Sequence, residues 1–127
     1  MTIEQKVTYH YDKSSGILHK KYHGSIQLDD IFNSWKDYME NRQGTEKING
    51  FILDYRDANF QIEPINATKI SAFYRAHLDF FGGFKIAIIT DSPKDIVIPT
   101  LIALENHGYE SRPFATMEAA KMWVLEQ

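Results

Sequence analysis

Residues able to do chemistry fall in two short polar segments, each directly after a run of apolar residues. Both segments combine acidic side chains with hydrogen-bonding ones, and their members are Asp54, Arg56, Asp57, Asn59, Thr90, Asp91 and Ser92. Ligands of parallel sheets collect at the carboxyl ends of the strands. There Arg56 would bind an anion, and the carboxylates would bind a cation or the donor groups of a ligand. The same residues also fit a structural role, in which Arg56 pairs with Asp54 or Asp57 while Asp91 and Ser92 cap a helix; this role is the commoner one at such positions.

No recognisable catalytic motif accompanies these residues. The sequence has no Ser-His-Asp arrangement, no glycine-rich phosphate loop, no HExxH and no cysteine, which excludes disulfides and thiolate catalysis. A hairpin closed by residues 13–16 would place His10 opposite His19, but two imidazoles without a third ligand are an incomplete metal site. We therefore expect no catalytic residue, no cofactor and no metal. A weakly marked enzyme that uses the Asp54 and Arg56 cluster is the alternative.

Composition and charge narrow the class of partner. The chain has 127 residues, 43% of them hydrophobic, which indicates one globular domain over residues 1–127. Its formal net charge is −3 and no basic run exceeds Lys20-Lys21, whereas tight nucleic-acid binding needs a concentrated basic face. The N-terminus lacks the apolar core of a signal peptide, and no apolar run approaches the roughly 20 residues that span a bilayer. We expect a cytoplasmic protein with no nucleic-acid partner and no membrane span.

Hydrophobic periodicity predicts the elements that position these residues. Strand patterns occur at residues 6–12, 17–23, 48–55, 84–90 and 110–115. Spacings of three and four residues indicate helices that begin near Leu28, Pro64, Ser92 and Thr116. The order β-β-α-β-α-β-α-β-α predicts an α/β fold: a five-stranded, largely parallel sheet with an N-terminal antiparallel hairpin and four helices. The first strand is expected at or near an edge of the sheet.

The helix predicted after Ser92 is more apolar than one buried face requires. Its apolar residues cover more than one side, and they include Ile96, Val97, Ile98, Leu101 and Ile102. One stripe must face the sheet, and a second stripe needs another cover. We predict a homodimer interface here, because an exposed apolar stripe is self-complementary across a two-fold axis. An apolar ligand is the alternative cover, and Pro99 is expected to kink or split the helix.

Four segments, in their order and spacing, resemble the SpoIIAA-like proteins, relatives of the STAS domains of anti-sigma-factor antagonists that are also described as STAS/SEC14-like. They are Gly24 with Leu28-Asp29-Asp30, residues 50–58 (GFILDYRDA), residues 85–89 (KIAII) and residues 114–123 (FATMEAAKMW). The resemblance covers nearly the whole chain. It implies a non-enzymatic binding or regulatory module that acts through protein–protein contacts, with a carrier or sensor of a small apolar or anionic ligand as the alternative.

The chain departs from the anti-sigma-factor antagonists at the residues that carry their regulation. Those proteins have a phosphorylatable serine at the start of the helix that follows the third strand. The matching residues here, 57–64, read DANFQIEP and contain neither serine nor threonine. The phosphorylation switch therefore does not carry over to this chain.

Overall fold

One five-stranded sheet forms the centre of the molecule. The computed structural model describes residues 6–42, 46–92, 95–105 and 108–126. The strands are β1 (Val7–Asp12), β2 (Ile17–Ile26), β3 (Gly50–Phe60), β4 (Lys85–Ile89) and β5 (Glu110–Phe114). They lie side by side in chain order, with β1 antiparallel to β2 and all other neighbours parallel. The predicted mixed sheet, with its first strand at an edge, is confirmed.

The hairpin between β1 and β2 is held by its own turn residues. Gly16 has φ 75°, a left-handed conformation that glycine adopts without steric strain. Its N–H donates to the carbonyl of Asp12 at 2.8 Å. The Asp12 carboxylate accepts hydrogen bonds from the hydroxyls of Ser14 and Ser15, and these bonds lower the pKa of Asp12. The turn sets the register of the two strands, in which His10 lies opposite His19 as predicted.

The helices are divided unequally between the two faces of the sheet. They are α1 (Leu28–Asn41), α2 (Ala67–Ala76), α3 (Leu78–Phe81), α4 (Val97–Ala103) and α5 (Met117–Leu125), and a 3₁₀ turn at Pro64–Asn66 precedes α2. Right-handed crossovers between consecutive parallel strands place α1 to α4 on one face, which we call the helical face. Helix α5 packs on the opposite face against β3, β4 and β5. On this opposite face, which we call the open face, side chains of β2 after Ile17 stay partly exposed, among them His19, Lys21 and His23.

Most of the core lies on the helical face. Trp35 of α1 is fully buried, and its ring makes edge-on contacts with Phe51 of β3 and Phe81 of α3. A smaller cluster lies under α5, where Trp123 and Val124 pack on Ile52 and neighbouring side chains of β4. Helix α5 begins beside Thr116 as predicted, and Thr116 caps it by accepting a hydrogen bond from the N–H of Ala119. In the described ranges, no helix is long and apolar enough to cross a membrane.

Two predicted helices differ from those observed. The helix expected from Pro64 begins as a 3₁₀ turn and is interrupted at His77, whose φ of −125° and ψ of 43° are not helical. The described residues therefore form five helices where four were predicted. The expected kink at Pro99 is wrong: α4 begins at Val97, so the proline lies in the first turn, where its missing N–H interrupts no helical hydrogen bond.

Candidate functional site

The strand that carries Asp54 and Arg56 is longer than predicted. β3 continues to Phe60 because β2 runs on beside it and keeps pairing with it. One extra residue of β3 is inserted between Asp54 and Asp57, and this insertion forms a β-bulge. The bulge breaks the alternation of side chains, so the consecutive residues Arg56 and Asp57 both contact partners on the open face. Arg56 and Asp57 lie beyond the predicted end of the strand at residue 55 and instead belong to it.

Asp54 and Arg56 form a close ion pair. The Nε and Nη2 atoms of Arg56 donate to the two carboxylate oxygens of Asp54 at 3.0 and 2.8 Å, and the backbone N–H of Arg56 donates at 3.0 Å. Asp54 is only 6% exposed. Burial by itself would raise the pKa of Asp54, but the hydrogen bonds and charge of Arg56 outweigh burial and lower it. The guanidinium is thus engaged within the chain, which favours the structural role over anion binding.

Two other residues of the predicted polar site, Asp57 and Asn59, lie in the C-terminal half of β3. Asp57 pairs with Lys21 at 2.9 Å, and both side chains are substantially exposed. Such a surface pair contributes little to stability. Asn59 follows in the same strand and is exposed.

The remaining residues of the predicted polar site directly follow β4: they are Thr90, Asp91 and Ser92. Thr90 is buried, and its backbone N–H donates to the carbonyl of Phe114 at 3.0 Å, which continues the pairing of β4 with β5. Asp91 is exposed and Ser92 is half-buried. The expectation that Asp91 and Ser92 cap the following helix is wrong, because α4 begins later and its N-cap is Ile96.

An apolar cavity lies on the helical face, beyond the carboxyl end of the sheet. Its volume is about 300 Å³, which is at the lower end of small-molecule pockets. Helix α1, the end of β3, the 3₁₀ turn, α2 and α4 enclose it through Ile31, Tyr55, Phe60, Ile62, Pro64, Ile70, Asp95, Val97 and Ile98. Pro64 and Val97 are exposed, so the cavity reaches the surface between the 3₁₀ turn and α4.

Aromatic rings form the floor of this cavity. The rings of Tyr55 and Phe60 lie 4.1 Å apart between centroids, and the ring of Tyr22 meets both of them edge-on. Asp95 is the one charged side chain among the described lining residues. Burial, and then the negative charge of Asp95, raise the pKa of Tyr55. The phenol therefore stays neutral at physiological pH.

The helix predicted as an interface takes part in the cavity. Val97 and Ile98 line it, Ile102 is in the core at 1% exposure, and Leu101 is half-buried. Ile96 is 41% exposed. Part of the second apolar stripe is therefore cavity wall, and the homodimer remains a prediction.

Lys20 of β2 is a buried residue that the sequence reasoning missed. Its side chain is fully buried on the helical face, and its Nζ has no hydrogen-bond partner among the described residues. The Nζ lies 3.7 Å from the ring centroid of Trp35, 4.8 Å from that of Tyr22 and 5.6 Å from that of Tyr9. Burial holds the pKa of Lys20 well below its usual value. The available signal was strand periodicity, which places Lys20 on the same face as Leu18 and Tyr22.

A shallower depression lies on the open face, beside the start of α5. Its volume is about 240 Å³, and its lining includes His10, His19, Lys21 and Asp54. The two imidazole rings are 6.0 Å apart between centroids. Burial, and then the charge of Lys121, lower the pKa of His19. The described residues contain no group of three or more His, Asp or Glu side chains arranged to hold a metal ion.

Comparison with known proteins finds a similar fold among solved structures. No family model and no curated protein matches the chain. Among solved structures it is similar to an uncharacterised protein of the DUF3478 family with a SpoIIAA-like fold, from Shewanella loihica PV-4. The two chains are 16% identical, the likeness covers 98% of each, and the TM-score is 0.64. At this identity the likeness concerns the fold and not the function. The chain has a SpoIIAA-like α/β fold, as its sequence segments had indicated.

Proposed function

We propose that this chain is a non-enzymatic module that binds a small, mostly apolar ligand in the cavity beside α4, as its carrier or sensor. The cavity itself supports the proposal. Because the cavity opens to the surface, water reaches its apolar lining, and covering apolar surface with an apolar ligand is favourable. Among the described lining residues, only Asp95 and the hydroxyl of Tyr55 are polar, which favours binding over catalysis.

Ligand size follows from the volume. About 300 Å³ holds roughly ten non-hydrogen atoms if each takes about 30 Å³, the share of a water molecule in the liquid. 1-Octanol has this size, and we expect it to bind with a Kd on the order of 0.1–1 mM. The measurement is a titration followed by backbone amide NMR shifts. Saturable shifts should concentrate at Phe60, Ile70 and Ile98, and shifts spread evenly over the surface would contradict the proposal.

A cavity-filling substitution separates this site from weak surface binding. Ile98→Trp adds volume to the cavity wall and should weaken 1-octanol binding at least tenfold. Leu104→Trp is the matched control, because Leu104 follows the same helix, is 78% exposed and does not line the cavity. Equal 1-octanol affinity in the two variants would argue against the cavity as the binding site.

A protein-contact role is the second candidate. The lining residue Val97 is 41% exposed, and two residues adjacent in sequence to lining residues are also exposed and apolar: Ile65 at 77% and Ile96 at 41%. Such a patch suits the predicted homodimer. We expect sedimentation equilibrium to detect dimers, and Ile65→Lys to weaken dimerisation at least tenfold. A wild-type monomer at millimolar concentration would rule this role out.

A further inference from the structure

We infer that the natural ligand of the cavity carries a primary amine on an apolar body, with the ammonium group bound at Asp95. This inference rests on the cavity being a ligand site, as proposed above. It goes further because it assigns the ligand a charge and an orientation. The apolar body would lie against Ile31, Phe60 and Ile70, and the amine would lie towards the start of α4.

The state of Asp95 is the first observation behind the inference. Its side chain is half-buried, and the other described residues of the cavity wall are uncharged. Within the described part of the chain, the ion pairs are Lys6–Asp30, Lys21–Asp57, Arg56–Asp54 and Arg75–Glu105, so the Asp95 carboxylate belongs to none of them. Removing a carboxylate from water costs free energy unless a positive charge or a donor compensates. A ligand ammonium would provide both.

The aromatic floor is the second observation, and it is independent of the carboxylate. Tyr55 and Phe60 both line the cavity, and their rings lie 4.1 Å apart between centroids, tilted by 37°. Aromatic faces attract ammonium groups, most strongly where water is excluded. The neutral phenol of Tyr55 adds a hydrogen-bonding group without adding a competing cation. A carboxylate or phosphate head group would instead meet Asp95, and the described lining residues include no cation to balance it, which disfavours the anionic ligand that the sequence left open.

Three probes of equal chain length test the inference on the wild-type protein. Octylamine, 1-octanol and octanoate each have a straight chain of eight carbons, the last of which is the carboxylate carbon in octanoate, and they differ chiefly in the charge of the head group. An alkylamine is protonated at pH 7, because its pKa is about that of lysine. In NMR titrations read at the cavity amides, octylamine should bind at least tenfold more tightly than 1-octanol. Octanoate should give no saturable shifts at Phe60 or Ile98.

Asp95→Asn identifies the source of the preference. This variant should bind octylamine about tenfold more weakly, which brings it close to the affinity for 1-octanol, while 1-octanol binding stays the same. Asp91→Asn is the matched control, since Asp91 is an exposed carboxylate nearby in the chain that does not line the cavity; it should keep the full preference for the amine.

The outcomes separate the two proposals. If 1-octanol binds and octylamine binds no more tightly, the amine inference is wrong and the apolar site stands. If Asp95→Asn weakens both ligands equally, Asp95 has a structural role only and the inference is again wrong. If none of the three probes gives saturable shifts at the cavity amides, the proposed function itself fails.

Discussion

Replacing Lys20 with methionine should raise the free energy of unfolding by about 2 kcal/mol at pH 7. In the wild-type protein the amine of Lys20 is fully buried among the rings of Tyr9, Tyr22 and Trp35, which we call the aromatic cage. The amine has no hydrogen-bond partner among the described residues. Burying an amine without a hydrogen-bond partner costs several kcal/mol of folding free energy, and cation–π contacts offset only about 2 kcal/mol of that cost. Methionine keeps most of the volume and removes the polar group, at the cost of a small void. Chemical denaturation followed by tryptophan fluorescence measures the difference.

The pH dependence of stability provides an independent test of the same cage. Because burial lowers the pKa of Lys20 in the folded state, the unfolded chain binds more protons between that lowered pKa and the ordinary value near 10.4. Wild-type stability should therefore gain up to about 1.4 kcal/mol per pH unit from this residue as the pH rises towards 9.5. The gain should be absent in Lys20→Met. Measurements should stop below pH 10, where ionisation of tyrosines in the unfolded chain begins to oppose it.

The neighbouring lysine is the matched control. Lys21 points to the open face and pairs with the exposed Asp57. Lys21→Met should therefore change stability by less than about 0.5 kcal/mol. If Lys20→Met destabilises the protein while Lys21→Met does not, the cage stabilises a charged amine and burial is not the dominant effect.

Replacing Arg56 with alanine should lower the free energy of unfolding by about 1–2 kcal/mol at pH 7. The change removes two of the three hydrogen bonds that Asp54 accepts from Arg56, and only the backbone donor stays. Hydrogen bonds to charged groups contribute about 1.5–3 kcal/mol, and the upper part of that range does not apply because the guanidinium is 37% exposed to solvent. Urea denaturation at neutral pH measures the loss.

The loss should shrink in acid. The lowered pKa of Asp54 means that its stabilising contribution is present above the unfolded pKa, near 3.9, and is lost as the pH falls through the folded value. Without the side chain of Arg56, Asp54 loses the side-chain hydrogen bonds and the positive charge that lower its pKa, so that pKa should rise. The difference between the two proteins should therefore be greatest at pH 7 and should fall steadily below about pH 4. Asp57→Asn, which breaks an exposed pair on the same strand, should show almost no difference at either pH.

Local sequence patterns predicted most of the elements correctly. Apolar runs and spacings of three or four residues are properties of short segments, so the five strands, the hairpin turn and the start of α1 could be read directly. The predicted and observed ends of a strand differ where pairing with a strand distant in sequence determines its length. β3 runs past Tyr55 only because β2 continues beside it, and no local pattern shows such a partner.

The candidate site was predicted only in part for the same reason. The possible pairing of Arg56 with Asp54 could be anticipated because the two residues are close in sequence. The bulge that turns Arg56 and Asp57 to the same face could not, since it depends on the register against β2. The apolar excess around Ile98 was visible, but its role as a cavity wall was not.

The sequence by itself determined the SpoIIAA-like α/β order of elements, the polar strand ends and the lack of a recognisable catalytic motif, because all three are written in local residue types. Only the tertiary structure decided which polar groups meet and where space is left. The cavity at Asp95 is a gap between α1, β3, α2 and α4, whose residues are far apart in the chain. The cage of Lys20 likewise needs Trp35 from the next helix. Both features arise from how separate elements pack together, which is why one sequence read segment by segment could not show them.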